Sequence, residues 1–166
     1  MASPYAWILY LHVGSVFAFL LLHGPSAAVS FAVSRTRDPT QLGFLVDLSK
    51  VWTRLSSLPL FLILITGIIL GFMGNWWRQG WIWAALIVFM AIWIWMNVRG
   101  TRTLYGIRWA IGQEYLQGIR PVHGTGFVAS QAVLNARIRS IRPWELTASA
   151  AILLAVLLVL MMFKPF

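Results

Sequence analysis

The stretch LPLFLILITGIILGFM, residues 58–73, contains no charged side chain, and Thr66 is its one polar residue. A helix needs roughly 20 apolar residues to cross about 30 Å of hydrocarbon, so a run of this kind indicates a membrane span. The chain has three further runs of similar character, at residues 5–33, 81–98 and 144–163. The predicted fold is therefore all-α, a single domain over residues 1–166 that forms an integral membrane four-helix bundle.

The overall composition excludes a water-soluble domain. Of the 166 residues, 60% are hydrophobic and only 10% are charged, against roughly 25% charged residues in an ordinary soluble domain. The net charge of +9 comes from cations that flank the apolar runs, so we expect them to contact anionic lipid headgroups rather than nucleic acid. The chain has no Cys, which excludes disulfides and thiolate metal sites.

The distribution of cations predicts an orientation. All but two of the thirteen Lys and Arg residues lie between the first and second runs or between the third and fourth; the exceptions are Arg78 and Lys164. Because Lys and Arg accumulate in cytoplasmic loops, both termini and the short loop near Arg78 should lie on the non-cytoplasmic side. Four Trp residues cluster at that loop, where indoles favour the headgroup level: Trp76, Trp77, Trp81 and Trp83.

The cytoplasmic connections themselves show helical periodicity. Apolar residues recur at intervals of three or four in two sets, Leu104, Ile107, Ile111 and Leu134, Ile138, Ile141, which predicts amphipathic extensions of the third and fourth spans. Asp38 and Pro39 form a helix start signal, so the second span should extend inward over residues 41–54. A GxxxG pattern at Gly67 and Gly71 predicts close helix packing, within the bundle or between chains.

Histidines and methionines are the residues that could bind a cofactor. His12 and His23 lie on one face of the first span, about 16 Å apart along its axis. A bis-histidine haem needs two imidazoles at one level on different helices, and His23 could form such a pair with His123. His12 could bind copper with Met73 or Met162, because imidazole with thioethers suits Cu(I). The alternative is structural, with each histidine hydrogen-bonded to a neighbouring helix or to headgroups.

Four short motifs resemble those of a known family: Tyr10 to His12 (YLH), Arg35 to Pro39 (RTRDP), Thr66 with Gly67, and Met162 to Pro165 (MFKP). Together they resemble the DUF2269 family of predicted bacterial integral membrane proteins, which is similar in plan to the copper-resistance CopD-like membrane domains. The resemblance implies four spans and a bacterial cytoplasmic (inner) membrane. The likeness to CopD implies a metal role for His12.

The spans lack the groups that membrane chemistry usually requires. No Asp, Lys or Arg lies within any run, and Glu145 stands at the start of the fourth, whereas pumps, ion-coupled transporters and intramembrane hydrolases use buried ionisable residues. We therefore predict a non-enzymatic accessory or scaffold subunit that binds other membrane protein subunits. A redox or metal-handling protein, with haem or copper, is the first alternative, and a small transporter is the second.

Overall fold

The computed structural model describes residues 3–117, 120–122 and 129–165. Within them, four helical segments are long and apolar enough to cross a membrane, and the fourth, Gln131–Phe163, joins two helices. The predicted all-α, four-span fold is thus confirmed. The helices are α1 (Pro4–Arg35), α2 (Pro39–Met73), α3 (Gly80–Ala110), α4 (Gln131–Arg139) and α5 (Pro143–Phe163), with a 3₁₀ turn at Trp76–Arg78 and strands β1 (Tyr115–Gln117) and β2 (Arg120–Val122).

The first two helices begin at capped starts. The Ser3 hydroxyl accepts a hydrogen bond from the Ala6 amide and precedes Pro4, while the Asp38 carboxylate accepts bonds from two amides and precedes Pro39. Proline suits the first helical position because its missing N–H would be unpaired there in any case. The predicted helical extension of the second span over residues 41–54 is confirmed, since α2 has 35 residues and is about 52 Å long; that this extension lies on the cytoplasmic side stays a prediction.

The start of α1, the α2–α3 connection and the end of α5 meet at one end of the molecule, which we call the aromatic end. The Tyr5 and Trp76 rings lie 6.3 Å apart, and the Trp76 and Trp81 rings 5.4 Å apart. The Lys164 ammonium lies 4.1 Å from the centre of the Trp76 ring and 5.5 Å from that of Trp81. The N-terminus, the short loop and the C-terminus therefore share a side, as predicted; that this side is non-cytoplasmic stays a prediction.

The main cluster of buried residues lies at the opposite end, which we call the basic end. Val33, Leu42, Ile107 and Leu134 are fully enclosed there. Val33 is about 42 Å along α1 from Tyr5, beyond the hydrocarbon, where water supplies the driving force for burial that lipid lacks. The predicted amphipathic segments supply most of this core, and residues 140–142 separate α4 from α5.

A β-hairpin interrupts the connection between α3 and α4. Its two strands are antiparallel, with Tyr115 opposite Val122. The sequence predicts only a break in this region, because three-residue strands are too short to show an alternating pattern.

Within the membrane the helices form two close pairs. α1 packs along α2, and α3 packs along α5, whereas α2 and α3 touch at few positions. The two glycines of the GxxxG pattern face different neighbours: a Cβ on Gly67 would lie 3.3 Å from His12 Cε1, and one on Gly71 would lie 2.9 Å from Ile82 Cδ1. The two glycines of the pattern therefore allow close packing of helices within this chain.

Candidate functional site

The α1–α2 interface holds a polar contact at hydrocarbon depth. His12 Nδ1 lies 2.9 Å from the Thr66 hydroxyl oxygen. Since the Thr66 hydroxyl donates its own proton to the Leu62 carbonyl, we assign the imidazole proton to Nδ1, which donates to Thr66. The other ring nitrogen, Nε2, then carries a lone pair. His12 thus has the structural role of a hydrogen bond between neighbouring helices, in an orientation that a ligand histidine also requires.

The backbone of α2 makes room for this imidazole. Thr66 is buried, at 2% exposure, and the adjacent Gly67 presents no side chain to the His12 ring. The Thr66 hydroxyl therefore binds the His12 ring, and the absence of a Cβ on Gly67 leaves space for that ring. Thr66 and Gly67 are the dipeptide of the sequence resemblance.

The second histidine of α1 has a different environment. The His23 ring stacks on the Phe19 ring, with centres 5.2 Å apart and planes inclined by 11°. His123, its proposed partner in haem binding, lies outside the described residues, so the haem pair stays a prediction.

The methionines proposed for copper lie on exposed surfaces. Met73 is 45% exposed and Met162 is 76% exposed. Met73 follows Thr66 by seven residues, which is about 10 Å along α2 toward the aromatic end. Among the described residues no three His, Cys, Asp or Glu side chains gather into a metal site. The described residues thus bring one imidazole to this depth, and a copper site of His12 with Met73 or Met162 stays a prediction.

An ion pair at the basic end was not predicted. Arg108 Nη2 lies 2.6 Å from the Asp47 carboxylate and 3.3 Å from the Val46 carbonyl, and Nη1 lies 3.4 Å from the Glu114 carbonyl. The pair joins α3 to α2. The sequence indicates this ion pair only through the position of Arg108, which directly follows Ile107 on an amphipathic helix and so lies beside the buried face.

One face of α1, from Trp7 to Gly24, is exposed in the described part of the chain. Its large side chains Trp7, Tyr10, Phe17 and Leu21 are 64%, 72%, 64% and 75% exposed. Apart from the backbone of α1 itself, no atom of the described residues lies within 4 Å of a Cβ built on Gly14 or Gly24. These residues recur at intervals of three or four and so share one side of the helix. We call this set the free face of α1: Trp7, Tyr10, Gly14, Phe17, Leu21 and Gly24.

No family model matches the chain, and neither a curated protein nor a solved structure shows significant similarity to it. The fold and its composition define a polytopic membrane protein with four candidate spans. Membership of the DUF2269 family stays a prediction from the four motifs.

Proposed function

We propose that this protein is a non-enzymatic accessory or scaffold subunit of a larger complex in the cytoplasmic membrane of a bacterium. The observation that carries the proposal is the free face of α1. We assign it one occupant, a single transmembrane helix of another subunit.

The alternation of large and small residues on this face favours a helix as the occupant. Lipid tails are as apolar as leucine, so helices associate in membranes through close packing rather than through the hydrophobic effect. Any one side of an α-helix shows intervals of three and four residues, so the feature of this face that suits a helix–helix seam is its residue types, with a glycine after each pair of large side chains. Gly14, between Tyr10 and Phe17, and Gly24, beyond Leu21, would leave space for side chains of the partner.

The chemistry of the spans supports a role without catalysis. Between residues 5 and 33, 58 and 73, and 81 and 98 the sequence contains no Asp, Glu, Lys or Arg, and intramembrane reactions and ion pathways usually depend on such groups. The cations at the basic end would hold the protein against anionic headgroups on the cytoplasmic side.

Site-specific photo-cross-linking in native membranes tests this proposal. A photoreactive amino acid replaces Phe17 on the free face of α1 or, as the control, Ile152 on α5, which is 64% exposed. We expect one adduct of fixed mass from position 17, lost when Gly14→Leu fills the seam, and none from position 152. A matched variant, Ala155→Leu on α5, should leave the adduct unchanged. Equal adducts from both positions, or an adduct of twice the chain mass, would contradict an accessory role.

The orientation of His12 favours a second candidate, a redox or metal-handling protein. The Thr66 hydroxyl fixes the ring and leaves Nε2 able to bind a metal. Purified protein would then contain stoichiometric copper, or show a Soret band if haem is bound, and His12→Ala would abolish the signal while Thr66→Val weakened it. A colourless, metal-free protein that retains its fixed partner would exclude this candidate.

A further inference from the structure

A narrow apolar groove separates α2 from α3 in the middle of the membrane. The two helices touch near the aromatic end, where Gly71 meets Ile82, and at the basic end, where Asp47 binds Arg108. Between these contacts they leave a space of about 130 Å³. Its walls are Leu60, Phe61, Leu64, Phe89, Met90 and Trp93.

The groove lies at the depth that the end of a lipid chain reaches. Phe61 is twelve residues, or about 18 Å, from Met73 at the aromatic end of α2. Hydrocarbon is about 30 Å thick, so the groove is near the bilayer midplane. It opens sideways, since Phe61 and Trp93 are 59% and 43% exposed.

Two cations lie on the same face of α2 as the groove residues, nearer the basic end. Lys50, Arg54, Ser57, Phe61 and Leu64 follow one another at intervals of three or four residues and so form a stripe along the helix. Arg54 and Lys50 lie about 28 and about 34 Å from Met73, which is the headgroup level of the basic-end leaflet. Both are exposed, and neither forms an ion pair with an acid of the described residues.

We propose that this stripe and groove bind one anionic glycerophospholipid of the basic-end leaflet. Its phosphate lies at Lys50 and Arg54, and one acyl chain enters the groove. A transmembrane helix, about 10 Å across, is too wide for the space, whereas a hydrocarbon chain fits between the aromatic walls. The lipid joins α2 to α3 where the protein's own contacts are sparse. This site is independent of the partner proposed for α1.

Native mass spectrometry of the full chain, with phosphatidylglycerol or phosphatidylcholine added, tests the site. Each cation near a membrane surface contributes about fivefold to binding an anionic lipid, so phosphatidylglycerol should bind about 30-fold more tightly than phosphatidylcholine. The double variant Lys50→Gln/Arg54→Gln should remove that preference. The control Arg102→Gln/Arg139→Gln, with the same charge change at two other exposed cations, should retain it.

A second pair of variants tests the groove. Leu64→Trp fills the space and should weaken binding of phosphatidylglycerol at least tenfold, and Leu60→Trp repeats the measurement should the first variant unfold. Four results would overturn the proposal: no lipid preference in the unaltered protein, equal losses in both charge variants, unchanged binding when the groove is filled, or displacement of the lipid by inorganic phosphate at equal concentration.

Discussion

Replacing Leu134 by Ala should release α4 from the rest of the protein. Leu134 is fully buried in the basic-end core. A helix of nine residues is not stable by itself in water, so docking of its apolar side must supply the stability of α4. Loss of a buried leucine side chain costs about 3 kcal/mol in a core that does not collapse. Val133, the neighbouring residue, is 39% exposed, and Val133→Ala should cost under about 1 kcal/mol.

Hydrogen exchange of the α4 backbone amides in detergent micelles measures this difference directly. A loss of about 3 kcal/mol in the free energy of opening accelerates exchange about a hundredfold. We expect that acceleration in Leu134→Ala and little change in Val133→Ala. Similar exchange in both variants would mean that α4 rests on the membrane surface instead of packing against α1 and α3, and would contradict its place in the basic-end core.

Three further perturbations test contacts elsewhere in the chain, each by thermal unfolding in mild detergent. Gly71→Ala should lower the free energy of unfolding by about 1–3 kcal/mol, because the added methyl would lie 2.9 Å from Ile82 Cδ1 and 3.1 Å from the Trp77 ring. Gly100→Ala has no described neighbour within 4 Å and should raise that free energy by about 0.5–1 kcal/mol; a more stable Gly71→Ala than Gly100→Ala would contradict the packing. Arg108→Gln should lower stability by about 2 kcal/mol through its lost charged hydrogen bonds, while the exposed Arg102→Gln has little effect; equal losses would deny the ion pair a specific role. Lys164→Gln should cost about 0.5–1 kcal/mol and alter the tryptophan fluorescence of the aromatic end, and an unchanged spectrum would refute the cation–π contact.

The fold was predictable because hydrocarbon imposes simple rules on a chain. Spans must be long, helical and apolar, so runs such as residues 58–73 stand out by composition alone. The basic-end core was predictable for a second reason. The helices that carry the buried Ile107 and Leu134 expose their opposite faces to water, and this contrast between apolar and polar faces appears in the sequence. The short strands at Tyr115 and Val122 had no such contrast.

The contacts of the candidate site were harder to predict. His12 and Thr66 each stand out as polar residues within apolar runs, but their contact depends on the register of α1 against α2, which no pattern within either helix specifies. The same holds for Arg108 and Asp47, which lie 61 residues apart. The free face of α1 could not be predicted from hydrophobic periodicity, because an apolar residue in a membrane span can face either lipid or another helix.

The most direct test of the four-span arrangement is the reactivity of single cysteines toward an impermeant maleimide added to intact cells. The chain contains no Cys, so one introduced residue reports alone. Arg78→Cys in the α2–α3 connection should be labelled from outside, and Ser130→Cys beside α4 should be labelled only after the membrane is permeabilised. Labelling of Ser130→Cys in intact cells, with protection of Arg78→Cys, would place the basic end outside and contradict the orientation. Labelling of both from outside would contradict the crossings themselves.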